Sequence, residues 1–82
     1  MTTFPTLTQP AAYRIRIVGH VSKNWSDYLA DVQETVVQEG SDYLTELTGI
    51  APDQSALYGL LCYIRDLGLV LFSVEYLANL DI

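Results

Sequence analysis

Between Tyr13 and Val21 the chain reads YRIRIVGHV, and Tyr13, Ile15 and Ile17 alternate with Arg14, Arg16 and Val18. A period of two marks a strand with one buried face. Gly19 interrupts the pattern, and a glycine in a strand signals a bulge or a close backbone approach. From Ser22 to Asp31 the chain reads SKNWSDYLAD, with Trp25, Tyr28 and Leu29 at i, i+3 and i+4 behind Ser22 or Asn24 as a cap. This spacing predicts a short helix over residues 24–30, which depends on tertiary packing to persist. Two apolar-rich runs, Val32–Glu39 and Asp42–Gly49, then flank Gly40-Ser41. That is a hairpin signal. A two-residue loop pairs Glu39 with Asp42, Gln38 with Tyr43, Val37 with Leu44 and Glu34 with Leu47. Alternation in both runs is loose, so the hairpin is better defined than its register.

The strongest periodicity follows Pro52-Asp53. Leu57, Leu60, Leu61, Ile64 and Leu67 recur at helical spacing, with Asp53 as N-cap and Gly68 as the terminating residue. A helix over Asp53–Leu67 is expected, with Leu60 and Leu61 among the most buried residues of the protein. Gly59 inside it costs ~1 kcal/mol relative to alanine and suggests a close approach to a strand. Leu69–Leu77, LVLFSVEYL, is rich in β-branched and aromatic residues and reads as a strand. It is apolar on both faces up to Val74, which predicts cover on both sides.

The order is β, short α, β, β, α, β. The expected class is α+β: a ferredoxin-like or closely related antiparallel sheet with one main helix on one face. A three-strand meander followed by helix and strand is the alternative. Residues 13–77 form the expected single domain. Residues 1–12, with scattered Phe4 and Leu7, read as a flexible lead, and residues 78–82 as a tail.

Composition narrows the class further. With 82 residues, 50% of them apolar, the chain has the length of one domain and is too hydrophobic for intrinsic disorder. One cysteine excludes a disulfide scaffold and a CxxC metal pair. Ten Asp and Glu against four Lys and Arg give a net charge of −6, which disfavours generic binding to nucleic acid. No apolar run approaches a membrane span. Residues 1–12 contain no Lys or Arg, so they lack the charged start of a signal peptide, and the cytoplasm is the expected compartment.

Certain residues recur together as a set: Tyr13, Ile15, Arg16, Gly19 and His20; then Trp25; then Asp53, Gln54, Ala56, Leu57, Gly59, Leu60, Leu61, Ile64, Arg65, Asp66, Leu67, Gly68, Leu69, Leu71, Ser73 and Val74. In this pattern the chain resembles a family of small uncharacterised bacterial proteins over roughly residues 13–77. The resemblance implies a compact α+β domain and brings no assigned activity. Two positions depart from it: Tyr28-Leu29 stand where an aromatic pair is usual, and Val70 where proline is common.

Few residues suggest chemistry. His20 is the single histidine, and as a general base it needs a nucleophile or an orienting carboxylate within reach. Asp27, Asp31 and Asp53 are candidates that no spacing distinguishes. A hydrogen-bonded histidine closing the strand is the simpler reading. Cys62, between apolar neighbours, reads as a small buried residue rather than a nucleophile. Glu34, Glu46 and Glu75 fall on different strands, and two of them meeting across the sheet would be needed for glycosidase chemistry. No structural-zinc spacing and no calcium loop is present, so neither a metal nor a cofactor is expected.

The cations are unevenly placed. Arg14, Arg16 and Lys23, three of the four, lie within ten residues, with His20 among them. Arg14 and Arg16 share a strand face, which His20 continues if Gly19 does not bulge. This face is either a small anion site or a pair of arginines bridged to Glu46 or Glu75 on neighbouring strands, and the second is the expectation. Six tyrosines are more than so small a domain can bury. Tyr43, Tyr58, Tyr63 and Tyr76 are therefore candidate interface residues, with Tyr63 projecting well away from the buried helix stripe. The expected function is a non-enzymatic interaction or regulatory module, a homodimer or the partner of another protein, with no nucleic-acid or membrane target. The alternative is a sensor holding a small anionic metabolite on Arg14, Arg16 and His20. A third reading, an enzyme with His20 as base, ranks below both.

Overall fold

A computed structural model describes residues 9–79. Four strands form one antiparallel sheet: β1 (Ala11–Val18), β2 (Ala30–Glu39), β3 (Asp42–Ala51) and β4 (Leu71–Asn79), in the order β2-β3-β1-β4. One helix, α1 (Gln54–Asp66), joins β3 to β4. The connection from β1 to β2 carries only a three-residue 3-10 turn, Trp25–Asp27, in place of the helix expected over 24–30. The sheet is broadly ferredoxin-like, with its first crossover helix reduced to a single turn. The expected lead and tail overlap the sheet, since Ala11 and Ala12 lie in β1 and Ala78 and Asn79 in β4. Phe4 and Leu7 fall outside the described residues.

Alternation in β1 sets the two faces. Ala11, Tyr13, Ile15 and Ile17 point to the core, and Arg14 and Arg16 to the opposite face. The pairing of β1 with β3 opposes Ile15 to Leu47 and Ile17 to Thr45, so Thr45, Leu47, Gly49 and Ala51 share the core face. The hairpin has the expected register, with Glu39 opposite Asp42, Val37 opposite Leu44 and Glu34 opposite Leu47. Gly40 turns at φ 62°, which glycine adopts at no steric cost.

α1 begins where Asp53 accepts a hydrogen bond from the Ala56 amide at 2.8 Å, and Gly68 stands just past its end at φ 74°. Leu57, Leu60 and Ile64 fill the core. Leu61 is only half-buried, contrary to expectation, because it lies to one side of this stripe. Cys62 is exposed, also contrary to expectation. Its apolar neighbours in sequence are not its neighbours in space, because a helix turns by about 100° per residue.

Trp25 and Leu29 occupy the area that a full first helix would cover. Both are buried, and Leu29 lies against Gly49, where an added Cβ would stand 3.0 Å from the Leu29 Cβ and 3.2 Å from the Ala30 carbonyl oxygen. Gly49 thus permits the crossover to settle onto β3. Gly59 lies against the Tyr28 ring instead of the strand that the sequence suggested. The molecule measures 39 × 27 × 18 Å, and the short dimension is that of one helix layer on one sheet.

Candidate functional site

The face of the sheet away from α1 carries four charges at its centre. Arg14 and Arg16 stand on β1, flanked by Glu46 on β3 and Glu75 on β4, because the registers oppose Arg16 to Glu46 and Arg14 to Glu75. Arg16 Nε donates to Glu46 Oε2 at 2.9 Å, and its Nη1 lies 3.2 Å from Glu75 Oε1. Arg14 Nη1 donates to Glu75 Oε2 at 3.4 Å. Arg14 Nε lies 3.8 Å from Glu46 Oε1, within ion-pair reach but beyond a hydrogen bond. Each carboxylate therefore serves both guanidinium groups. The hydrogen bond from Arg16 to Glu46 is the main influence on Arg16 and holds it more firmly protonated than an ordinary arginine, outweighing the opposing effect of desolvation.

An incoming anion would have to displace Glu46 and Glu75 from both arginines. His20 does not extend their row. β1 ends at Val18, Gly19 turns at φ 99°, and His20 is exposed in the loop beyond. The condition that Gly19 should not bulge is not met. Thr45 fixes this exit. Its buried hydroxyl donates to the Gly19 carbonyl at 2.7 Å and accepts from the Val21 amide at 2.8 Å, one bond on each side of His20. Thr45 is legible as an inward residue through its phase, two positions from Leu47 and four from Gly49 on the core face of β3.

Glu34 lies on the helix-side face, away from Glu46 and Glu75. It accepts from the Trp25 indole Nε1 at 2.7 Å, which satisfies the one polar atom of that buried ring. Glu46 and Glu75 are separated by β1, and both are engaged by arginines. Among the described residues, no three of His, Cys, Asp and Glu gather as a metal site.

The four candidate interface tyrosines divide into two pairs. Tyr43 and Tyr58 are exposed. Tyr63, expected to project away, is instead engaged within the chain, stacked on Tyr28 at 5.3 Å and edge-on to Trp25 at 6.0 Å. Tyr76 lies edge-on to Tyr13 at 6.1 Å. The larger exposed apolar surface is elsewhere. Among the described residues, six of the ten large apolar side chains left exposed lie between Leu67 and Leu77. β4 is not covered on both sides as its composition suggested; it is an edge strand.

Fold and surface together define a small α+β sheet domain whose described residues hold neither a catalytic constellation nor a metal-ligating cluster. Over residues 12–75 the chain matches the family described as a domain of unknown function, DUF8691, and it belongs to that family. No curated protein and no solved structure matches the chain. No helix among the described residues is long and apolar enough to cross a membrane.

Proposed function

We propose that this protein is a non-enzymatic interaction module that works by self-association. The observation that carries the reading is the distribution of its exposed apolar side chains, gathered between Leu67 and Leu77 rather than scattered. Scattered apolar residues are normal on a monomer, whereas exposed apolar residues concentrated on one edge strand and the segment leading into it favour a partner. The charged groups that might serve chemistry are engaged within the chain: Arg14 and Arg16 hold Glu46 and Glu75, and Glu34 holds Trp25.

Light scattering at micromolar to millimolar protein tests the reading. The expected mass is twice the 9.2 kDa of one chain. A constant single-chain mass over that range would refute self-association.

A further inference from the structure

We infer that two copies of this chain join edge to edge through β4, antiparallel about a two-fold axis at Val74, into one continuous eight-stranded sheet. The inference rests on the self-association reading and adds its surface, geometry and register.

The two edges of the sheet differ. β2 carries Asp31, Glu34 and Glu39, and Asp31 breaks its register at φ 52°. Acidic side chains and irregular backbone are devices that keep edge strands from pairing. β4 reads LFSVEYLAN, with one charge, no proline and no lysine. That single charge, Glu75, is already matched by Arg14 and Arg16 of its own chain. An edge strand presents unpaired backbone donors and acceptors, and another strand satisfies them in full. The two irregularities in its pairing with β1, at Phe72 and Leu77, leave Ser73–Tyr76 regular between them.

The reduced first crossover explains why this edge is bare. Four strands at about 4.8 Å spacing are wider than one helix of about 10 Å diameter. Trp25 and Leu29 cover the β2–β3 side, and among the described residues no second helix reaches β4. Val74 and Leu71 are on the helix-side face, opposite Ile15 and Ile17, yet both are exposed while their β1 partners are wholly buried. With Phe72 and Val70, at 51% and 62% exposure, they form an apolar border along the strand.

Charge selects a second copy as the occupant and selects the register. At −6 the chain repels itself across most of its surface, and the β4 border is the stretch where two copies meet without opposing unpaired carboxylates. Antiparallel pairing with both helices on one side requires opposed residues to point to the same face. Centred on Val74, this sets Phe72 opposite Tyr76, Leu71 opposite Leu77, and Ser73 opposite Glu75. Ser73 Oγ has no hydrogen-bond partner among the described residues. Centring on Glu75 would instead bring the two carboxylates together.

The test places a cysteine on the axis. In a Cys62→Ser background, Val74→Cys is expected to form a covalent dimer under mild oxidation, because opposed Cα atoms in antiparallel strands stand about 4.5–5.5 Å apart, within disulfide reach. Tyr43→Cys in the same background is expected to stay uncrosslinked. In parallel, Phe72→Lys should weaken dimerisation about tenfold or more by desolvating a charge at the seam, with circular dichroism confirming the fold. Tyr58→Lys should leave dimerisation unchanged. A dimer that survives Phe72→Lys and fails to crosslink through Val74→Cys would overturn the β4 surface and leave self-association standing. A wild-type chain that stays monomeric would overturn both. If Phe72→Lys does not fold, the crosslink alone decides.

Discussion

At the scale of single residues, three polar groups at the core each meet a specific partner. Thr45 closes the β1 exit, Glu34 receives the Trp25 indole, and Gln54 Nε2 donates to the Tyr13 hydroxyl at 2.6 Å. Burial is the largest influence on the Tyr13 phenol and raises its pKa above the usual value; the Gln54 hydrogen bond lowers it by a smaller amount, and Tyr76 and Tyr58 raise it. A raised value means that the folded chain holds this proton more tightly than the unfolded chain. The resulting stabilisation is complete below the ordinary tyrosine pKa and is lost as pH climbs through the folded value. Tyr13→Phe should therefore be less stable at neutral pH, by about 0.5–1.5 kcal/mol for the lost hydrogen bond. As pH rises above the ordinary tyrosine value, the gap to wild type should narrow. Urea midpoints across that rise check this, and a constant or widening gap would contradict it. The sequence marked Tyr13 as an inward residue through its phase in β1, but its partner is 41 positions away and only the folded helix brings it near.

At the scale of elements, legibility followed periodicity. The hairpin was readable from Gly40-Ser41, and its strands pair as a two-residue turn dictates, although their loose alternation left the register itself less defined; α1 was readable between Asp53 and Gly68 because both ends carry their own stop signals. The rotation of α1 about its axis was less legible. Five leucines and isoleucines at 57, 60, 61, 64 and 67 make a stripe wide enough to centre on either Leu60 or Leu61. In the fold it centres on Leu60, which is fully buried, and leaves Leu61 half-buried. Leu60→Ala should accordingly cost about 2–5 kcal/mol. Leu61→Ala should cost less than half as much, and Cys62→Ser should stay within about 0.5 kcal/mol of wild type. Thermal or denaturant melts of the three variants check the order; equal losses at 60 and 61 would mean that α1 is rotated. The candidate anion site was legible in half. Alternation put Arg14 and Arg16 on one face with carboxylates across from them, but the positive φ at Gly19 that removes His20 from the row depends on how Thr45 ties down the loop. β4 was misread for a different reason. A strand apolar on both faces is normally a central strand; the sequence marked the first crossover as short, but the strand order that leaves β4 at the edge is set by long-range pairing that no local pattern carries.

At the scale of the whole molecule, charge and apolar surface make opposite demands, and salt separates them. The four charges at the centre of the open face cancel, so the net charge of −6 is carried by the remaining surface. In about 0.01 M salt the screening length is near 30 Å. That is comparable with the 39 Å length of the molecule, so two copies feel much of each other's charge. In about 1 M salt the length falls to roughly 3 Å and only direct contacts remain. A dimer joined through the apolar border of β4 loses repulsion and no attraction as salt rises, so its dissociation constant should fall. A dimer joined by exchanging Arg14 and Arg16 with the partner's carboxylates would lose attraction, and its dissociation constant should rise. Sedimentation equilibrium in sodium chloride across this range measures the slope. Tightening is the expected result, and weakening would move the interface from the edge of the sheet to its charged face.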